Sequence, residues 1–422
     1  MLPLREVLTE RREAVQVDGT LGDWQAITIK FSGEVLPRER AEAFKGAMFA
    51  VYPGDLAFSK IDARNGAIGL IPDSIPKAVV TSEYPVFTPK ADKLRAAYLH
   101  HLLRAEHFKA DLQRKASGTS GRKRVAPEGF LTLEVPVPTL DEQDALSAAY
   151  TDALVRAAQL EREAEAIERA GWQAFETALG ITPPTPVPDR LVFVARFKDV
   201  ERWSHNGISR GALERDAATS EVSTEPLGDA LLEVRHGCSK GPSMRTTALR
   251  VLKISAVTKG RLDIDEHKFI ADEPALREQF SLKAGDVLMC RTNGTLAYVG
   301  MSALVEADIR DTIFPDKVIR VRPNLDKIES QFLWRLLQVP AVRSQIEAAA
   351  RTAVGNFAIG GKDIKALKVP LPPSEQQMAL AQALNDSITC AKTKRTEATT
   401  LRQSAWAAFE SALFTLTEEP AV

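Results

Sequence analysis

The chain has 422 residues, 44% of them apolar, with 55 basic and 56 acidic side chains and a net charge of −1. That length carries two or three domains with sizeable cores. Cys238, Cys290 and Cys390 lie far apart without a C-x-x-C pair, which argues against a disulfide framework or a cysteine zinc site. No stretch approaches the roughly 18 apolar residues of a membrane span, so a cytoplasmic protein with no membrane association is expected. The near-neutral total hides a partition: +3 over residues 1–135, −6 over 136–180, +4 over 181–373 and −2 thereafter. Such mild basic excesses are only weak pointers to nucleic acid.

Residues 1–135 read as an α+β block. Trp24–Ile29 alternates, and Ala78–Thr81 and Tyr84–Phe87 look like strands bounded by proline. The central signature, Gly54-Asp55-Leu56 through Asn65-Gly66 to Gly69, predicts a hairpin that carries Lys60, Arg64 and Asn65 around an Asn-Gly turn. Leu94, Tyr98, Leu102, Leu103, Phe108 and Leu112 recur at helical spacing, and the stretch Ser117-Gly118-Thr119-Ser120-Gly121-Arg122-Lys123-Arg124 follows as a flexible basic loop.

A long helix then starts near Thr139, and its lead-in is the stretch that the chain contains twice. Val135–Leu146 returns as Val369–Leu380 at an offset of 234 residues, and Trp172–Leu179 meets Trp406–Leu413 at that same offset without a gap. An ungapped register over two long segments implies two equivalent helices. Thr139 with Glu142, and Ser374 with Gln377, fit the capping-box spacing just after prolines. A seven-residue period runs through Leu146, Ala153, Leu160, Ile167 and Ala174, with Tyr150, Ala157, Ala164, Gly171 and Ala178 four residues on. The second helix repeats it with Leu380, Ser387, Lys394, Leu401 and Ala408, and with Leu384, Ala391, Ala398, Ala405 and Ala412. This small-residue seam predicts that the helices pack on each other, and internal symmetry makes them antiparallel. Leu146, Leu160, Ile167, Trp172, Phe175, Leu380, Leu384, Leu401, Trp406 and Phe409 are the expected packing or partner-docking residues.

Between the helices, Pro183–Pro188 makes a stiff connection into a second block with the grammar of the first. Gly285–Gly300 echoes Gly54–Gly69 at equal length, which sets Arg291 against Lys60. Helical spacing from Phe332 to Ile346 and the run Gly355–Gly361 take the places of the earlier helix and basic loop. The resulting division is 1–138, 139–182, 183–372, 373–416 and a tail at 417–422: domain, helix, domain, helix.

The paired Val-Pro junctions, the Gly-Asp hairpins and the two long helices in this order resemble the DNA-specificity subunits of Type I restriction-modification systems, over essentially the whole chain. The resemblance implies two target-recognition domains, each reading one half of a bipartite sequence in double-stranded DNA. It implies that the helices space them and dock two methyltransferase subunits, with a restriction and translocase subunit joining for cleavage. It also implies no cofactor in this chain, S-adenosylmethionine belonging to the methyltransferase and ATP with magnesium to the restriction subunit. Accordingly there is no [DNS]-P-P-[YFW] motif, no Walker loop and no H-E-x-x-H spacing, and a non-catalytic subunit is expected. The other readings are a two-headed protein-interaction scaffold and, more distantly, a nuclease using carboxylates such as Asp55 and Asp62.

Arginine and lysine can pair with guanine edges and asparagine with adenine, whereas basic loops neutralise phosphate. Lys60, Arg64, Asn65, Arg291 and Asn293 are therefore the base-reading candidates, although both asparagines would serve Asn-Gly turns equally well. Arg122, Lys123 and Arg124 are expected to hold the backbone, a solvated surface being the rival reading, and Ser117, Thr119 and Ser120 in the same loop, with Asn356 in the second block, are further DNA-contact candidates. Arg235, His236, Ser239 and Lys240, in a Gly-containing loop, form a weaker set. For His100 and His101 a packing or surface role is expected rather than metal ligation.

Overall fold

The structure is a computed structural model that describes residues 1–16, 21–38, 47–116, 123–181, 223–353 and 355–418. The Pro183–Pro188 connection lies outside the described residues. The chain divides into two compact units, one of Met1–Arg162 with Lys394–Val422 and one of Glu163–Thr393. The class is α+β: two β-rich domains and two long helices, Leu140–Ala178 and Ser374–Glu418.

The first unit is built on a four-stranded antiparallel sheet in the order Leu8–Arg11, Val86–Pro89, Leu56–Phe58, Ile68–Leu70. Successive side chains of a strand point to opposite faces. Leu56, Phe58 and Phe87 accordingly enter a core with Leu4, Tyr98 and Phe130, while Ala57 and Val86 enter another with Ile27, Ile29 and Val80. Coverage on both faces explains why Leu56-Ala57-Phe58 reads as an unbroken apolar run. Phe58 and Phe130 fasten the first core with ring centroids 4.5 Å apart. The second core lies under a five-stranded sheet in which Gln25–Ile29 and Ala78–Thr81 run parallel.

The second unit repeats this plan. Its four strands, Leu231–His236, Val318–Pro323, Val287–Cys290 and Ser302–Leu304, follow the same order. Val287 and Met289 face one core, and Leu288 and Cys290 face another. Leu249–Leu252 and Thr312–Ile313 form the matching parallel pair.

Within the first unit the long helices run antiparallel. Tyr150 meets Trp406 and Phe409 at centroid separations of 5.4 and 5.7 Å, while Glu161 accepts two bonds from Arg402, earlier in its own helix, at 2.5 and 2.7 Å. Within the second unit Gly171 lies against Ser387, where an added Cβ would come 2.6 Å from the serine Cβ. The small seam is thus used for close approach: Ala153, Ala157, Ala164, Ala391 and Ala398 are all buried. Toward the helix ends the strict seven-residue period fails. Ala174 and Ala178 are exposed, and Phe175 and Leu179 are buried instead, because a straight helix drifts about 20° per heptad.

Three further expectations change. The single helix in each block is two: Ala96–Leu102 and Glu106–Lys115 in one, Ser330–Leu336 and Pro340–Ala349 in the other. The second break falls where Pro340 lacks an N–H and forces Val339 into an extended conformation. Thr139 and Glu142 do form a capping box, the Thr139 N–H donating to Glu142 Oε2 at 2.8 Å. Ser374 and Gln377 do not, because the Gln377 side chain is spent on the globular domain, at Lys327, Glu329 and Pro372. Finally, the two hairpin loops differ in length. Phe58 pairs with Ile68, whereas Met289 pairs with Ser302, so the second loop is longer by three residues.

Candidate nucleic-acid interface

Each unit presents the same loop on the same backbone frame. Lys60 donates its N–H to Glu83 O at 3.0 Å and accepts from Val125 N at 2.8 Å; Arg291 donates to Lys317 O at 2.8 Å and accepts from Ile359 N at 3.0 Å. Lys60 and Arg291 therefore occupy one structural position. The carboxylate five residues earlier is a buried brace in both units. Asp55 accepts from Tyr52 N and Thr88 Oγ1 and forms an ion pair with Arg11, and Asp286 accepts from Lys283 N and from Arg322 Nε. The arginines come from different strands of the sheet, Leu8–Arg11 in one and Val318–Pro323 in the other. Asp55 is 1% exposed and committed to this brace, which removes it as a candidate nuclease carboxylate.

In the first unit the loop closes through a 3-10 turn, Ala63–Asn65, followed by Gly66 at φ +100°. The expected type I′ turn is absent, since that turn needs positive φ at both central residues and Asn65 is helical. Instead Asn65 Nδ2 donates to Asp62 Oδ1 at 3.2 Å and its residue stays exposed. Arg64 and Lys60 are half-buried, and their side chains have no hydrogen bond or ion pair among the described residues. Arg124 pairs with Glu83 at 3.1 Å next to Lys60's backbone partner, and Lys123 is exposed. Lys60, Arg64, Asn65, Lys123 and Arg124 thus converge on one loop cluster. Ser117, Thr119, Ser120 and Arg122 lie outside the described residues.

In the second unit the loop adds a small sheet. Thr292–Asn293 pairs with Asn356–Ala358, which pairs with Arg351–Ala353. Asn293 is therefore a strand residue, and its Oδ1 accepts from Thr295 N at 3.0 Å. The Asn356 Oδ1 would lie 3.8 Å from a Cβ on Gly294, so Arg291, Asn293 and Asn356 come together. Arg291 Nη1 donates to Asp316 O. Arg235 is not part of this cluster: it pairs with Glu233 at 2.6 Å, while its neighbour His236 takes the opposite face of the strand, toward Gly361 and Arg291. Lys240 pairs with Glu273, well outside the loop sheet.

Leu146, Trp406 and Phe409 pack in the first unit's core, and Trp172, Phe175, Leu380 and Leu384 in the second's. Leu160, Ile167 and Leu401 are half-buried along the helices. His100 and His101 pack as expected. Burial pulls their pKa values down to about 3 and about 4, with the Arg104 charge adding to it.

Two glutamines whose role sequence reasoning missed, Gln143 unremarked and Gln377 read as a cap, join each domain to its helix. Gln143 Oε1 accepts from Arg95 N at 2.8 Å, and its Nε2 donates to Lys93 O and Pro138 O at 2.9 and 2.8 Å. Gln377 does the same at Glu329 N, Lys327 O and Pro372 O, at 2.9, 2.9 and 2.7 Å. Every partner is displaced by the same 234 residues. The signal was present in the sequence as a glutamine repeated in both copies.

No protein-family model matches the chain. It is 22% identical over 299 residues to the Escherichia coli (strain K12) Type I restriction enzyme EcoKI specificity subunit, covering 71% of this chain and 60% of that one. It is 20% identical over 300 residues to the StySPI specificity subunit of Salmonella potsdam, covering 70% and 59%. A putative MjaX specificity subunit from Methanocaldococcus jannaschii matches at 26% over 197 residues, 46% of this chain and 44% of that one. Among solved structures, a chain from work on complex assembly and conformational transition of the type I R-M system superposes with a TM-score of 0.60 at 17% identity, covering 98% of this chain and 96% of that one. The chain is similar in sequence to Type I restriction specificity subunits and shares the fold of a chain from that system. The S subunit from M. genitalium shares the fold at a TM-score of 0.50 and 11% identity, covering 97% and 95%. The matched regions span about 60% or less of the length of the curated specificity subunits. Among the described residues no group of three or more His, Cys, Asp or Glu side chains could hold a metal, and no helix is long and apolar enough to cross a membrane.

Proposed function

We propose that this chain reads a bipartite sequence in double-stranded DNA, one half-site per unit, and directs the methyltransferase and restriction subunits of a Type I complex to it. The observation that carries this reading is a shared loop frame with divergent side chains. Lys60 and Arg291 stand at one backbone position, yet Arg64 and Asn65 surround the first and Asn293 and Asn356 the second. A duplicated scaffold with different exposed donors suits two different half-sites, because base edges are told apart by donor and acceptor pattern.

In this reading the chain carries no chemistry of its own. The paired helices set the spacing between half-sites and dock two methyltransferase subunits, which bring S-adenosylmethionine. A restriction and translocase subunit brings ATP and magnesium, and the assembly works in the cytoplasm. The test is binding of the chain with its methyltransferase to duplexes as salt is raised. DNA reading requires a steep fall in affinity with salt, of about 0.9 in log-log slope per phosphate neutralised, and a preference for the sequence methylated in cells. A salt-insensitive complex without sequence preference would leave the protein-interaction scaffold as the function.

A further inference from the structure

The far end of each loop is tied to the helical wall of its own unit by an arginine, and the two arginines come from non-equivalent places. In the first unit Arg104, just past the helix Ala96–Leu102, donates to Ser32 O at 3.0 Å and Ile68 O at 2.5 Å, and also to His100 O. It has no carboxylate partner among the described residues. Ile68 begins the strand that leaves the Lys60–Gly66 loop, and the Phe31 carbonyl lies where a Cβ on Gly66 would be, 2.3 Å away. The guanidinium fills the space in front of Gly33, at φ +82°, where an added Cβ would fall 1.1 Å from Nη2.

In the second unit the strand residue equivalent to Ile68 is Ser302, whose carbonyl accepts from Trp334 Nε1 at 3.2 Å. The longer loop is held by Arg343, on the helix Pro340–Ala349, which donates to Val299 O at 2.8 Å and Ala297 O at 3.0 Å. It too faces a positive-φ glycine, since a Cβ on Gly300 would fall 2.7 Å from Nη1. At the 234-residue offset Arg104 corresponds to Gln338 and Arg343 to Lys109. Gln338 turns back to Trp334 O, and Lys109 pairs with Glu106. Neither substitutes for the other unit's tie, so the two loops are fastened by separate solutions matched to their different lengths.

We propose that Arg104 and Arg343 are positioning residues for half-site discrimination, each holding the loop of its own unit in the geometry that its DNA-facing side chains require. The inference rests on the DNA-reading function proposed above. Direct readout tolerates displacements of only about 0.5 Å, and backbone carbonyls gripped by a planar fork are held in both direction and distance. Lysine carries its three N–H donors on one nitrogen, so it cannot meet carbonyls that the guanidinium reaches from separate nitrogens at fixed spacing.

The experiment uses the chain assembled with its methyltransferase. The target is defined by modified-base sequencing of cells carrying the wild-type system, and the probes are that duplex and versions altered at single base pairs in one half or the other. Arg104→Lys is expected to reduce discrimination in one half by about tenfold or more, the range a single mismatch is worth, and to leave the other half unchanged. Arg343→Lys should do the converse, and Gly33→Ala should reproduce the Arg104 result. The salt slope should stay at the wild-type value, because both guanidinium groups are committed to backbone carbonyls. Equal loss in both halves, no loss in either, or a salt slope lowered by about one overturns the assignment. A wild-type complex without base-pair discrimination instead overturns the DNA-reading function, and the positioning role with it. Should Arg104→Lys fail to fold, Gly300→Ala and Arg343→Lys carry the same test in the other unit.

Discussion

Replacing Gln143 by alanine removes three hydrogen bonds from a side chain that is fully buried. The Arg95 N–H is left without an acceptor, and Lys93 O and Pro138 O lose a donor. An orphaned buried N–H costs about 1–3 kcal/mol, and a carbonyl with a second lone pair costs less, so the total is about 3 kcal/mol. At about 2–4 °C per kcal/mol for a body of this size, the unit should melt about 6–12 °C lower. Gln377→Ala should cost the second unit the same, because its three bonds match those of Gln143 partner for partner. Gln143→Glu should be worse than alanine at neutral pH, since a carboxylate oxygen would then face two carbonyls. Urea titration followed by tryptophan fluorescence, fitted as separate transitions for the two units, measures both. Losses under about 1 kcal/mol, or a large loss in one unit beside none in the other, would refute the claim that these glutamines are equivalent fasteners.

Other outcomes follow from the same geometry. Lys60→Ala or Arg64→Ala should alter methylation specificity in one half-site only, which modified-base sequencing reads, and loss in both halves would count against independent units. On the spacer role proposed above, four residues inserted near Ala158 should change the tolerated spacing between half-sites; an unchanged spacing refutes that role. Asp286→Ala should destabilise the second unit by about 3 kcal/mol, because it leaves the half-buried Arg322 without its bidentate partner. Burial raises the Glu176 pKa, so its ionised form opposes folding. Its favourable contribution is complete below the unfolded-state pKa and is lost as pH rises through the raised value. Glu176→Gln should therefore raise the melting temperature at pH 7 and leave it unchanged at pH 4.

The Glu176 burial shows how the copies diverge. Its duplicate, Glu410, accepts the Glu106 N–H at 3.2 Å at the start of a helix. The position equivalent to Glu106 is Pro340, which has no N–H to offer. Such losses are visible only once the duplicated partners are placed beside each other.

Much of the architecture was legible because it is written in short-range terms. The 234-residue repeat, the proline-bounded helix starts and the small-residue seam are matters of periodicity and backbone propensity, and they marked two long packed helices and two related domains. The placement of Lys60 against Arg291 was likewise legible from the Gly-Asp lead-in. Local signals misled where a side chain had a distant competitor. Gln377 has capping-box spacing from Ser374, but a carbonyl 50 residues away and an N–H 48 residues away hold it. Asn65-Gly66 has the composition of a tight turn, yet the Phe31 carbonyl and the Asp62 carboxylate decide its conformation. Equal spacing between glycines suggested loops of equal length, whereas strand register added three residues to the second.

The sequence by itself determined that this chain is a duplicated pair of α+β units on two long helices, because repeats, caps and apolar periods act over one or two turns of chain. Only the tertiary structure decided which residues fasten the two hairpin loops. Arg104 and Arg343 occupy unrelated positions in the repeat, and their partners are carbonyls, which every residue has and which no sequence pattern marks. Their selection depends on where packing brings a loop of a given length against a helix.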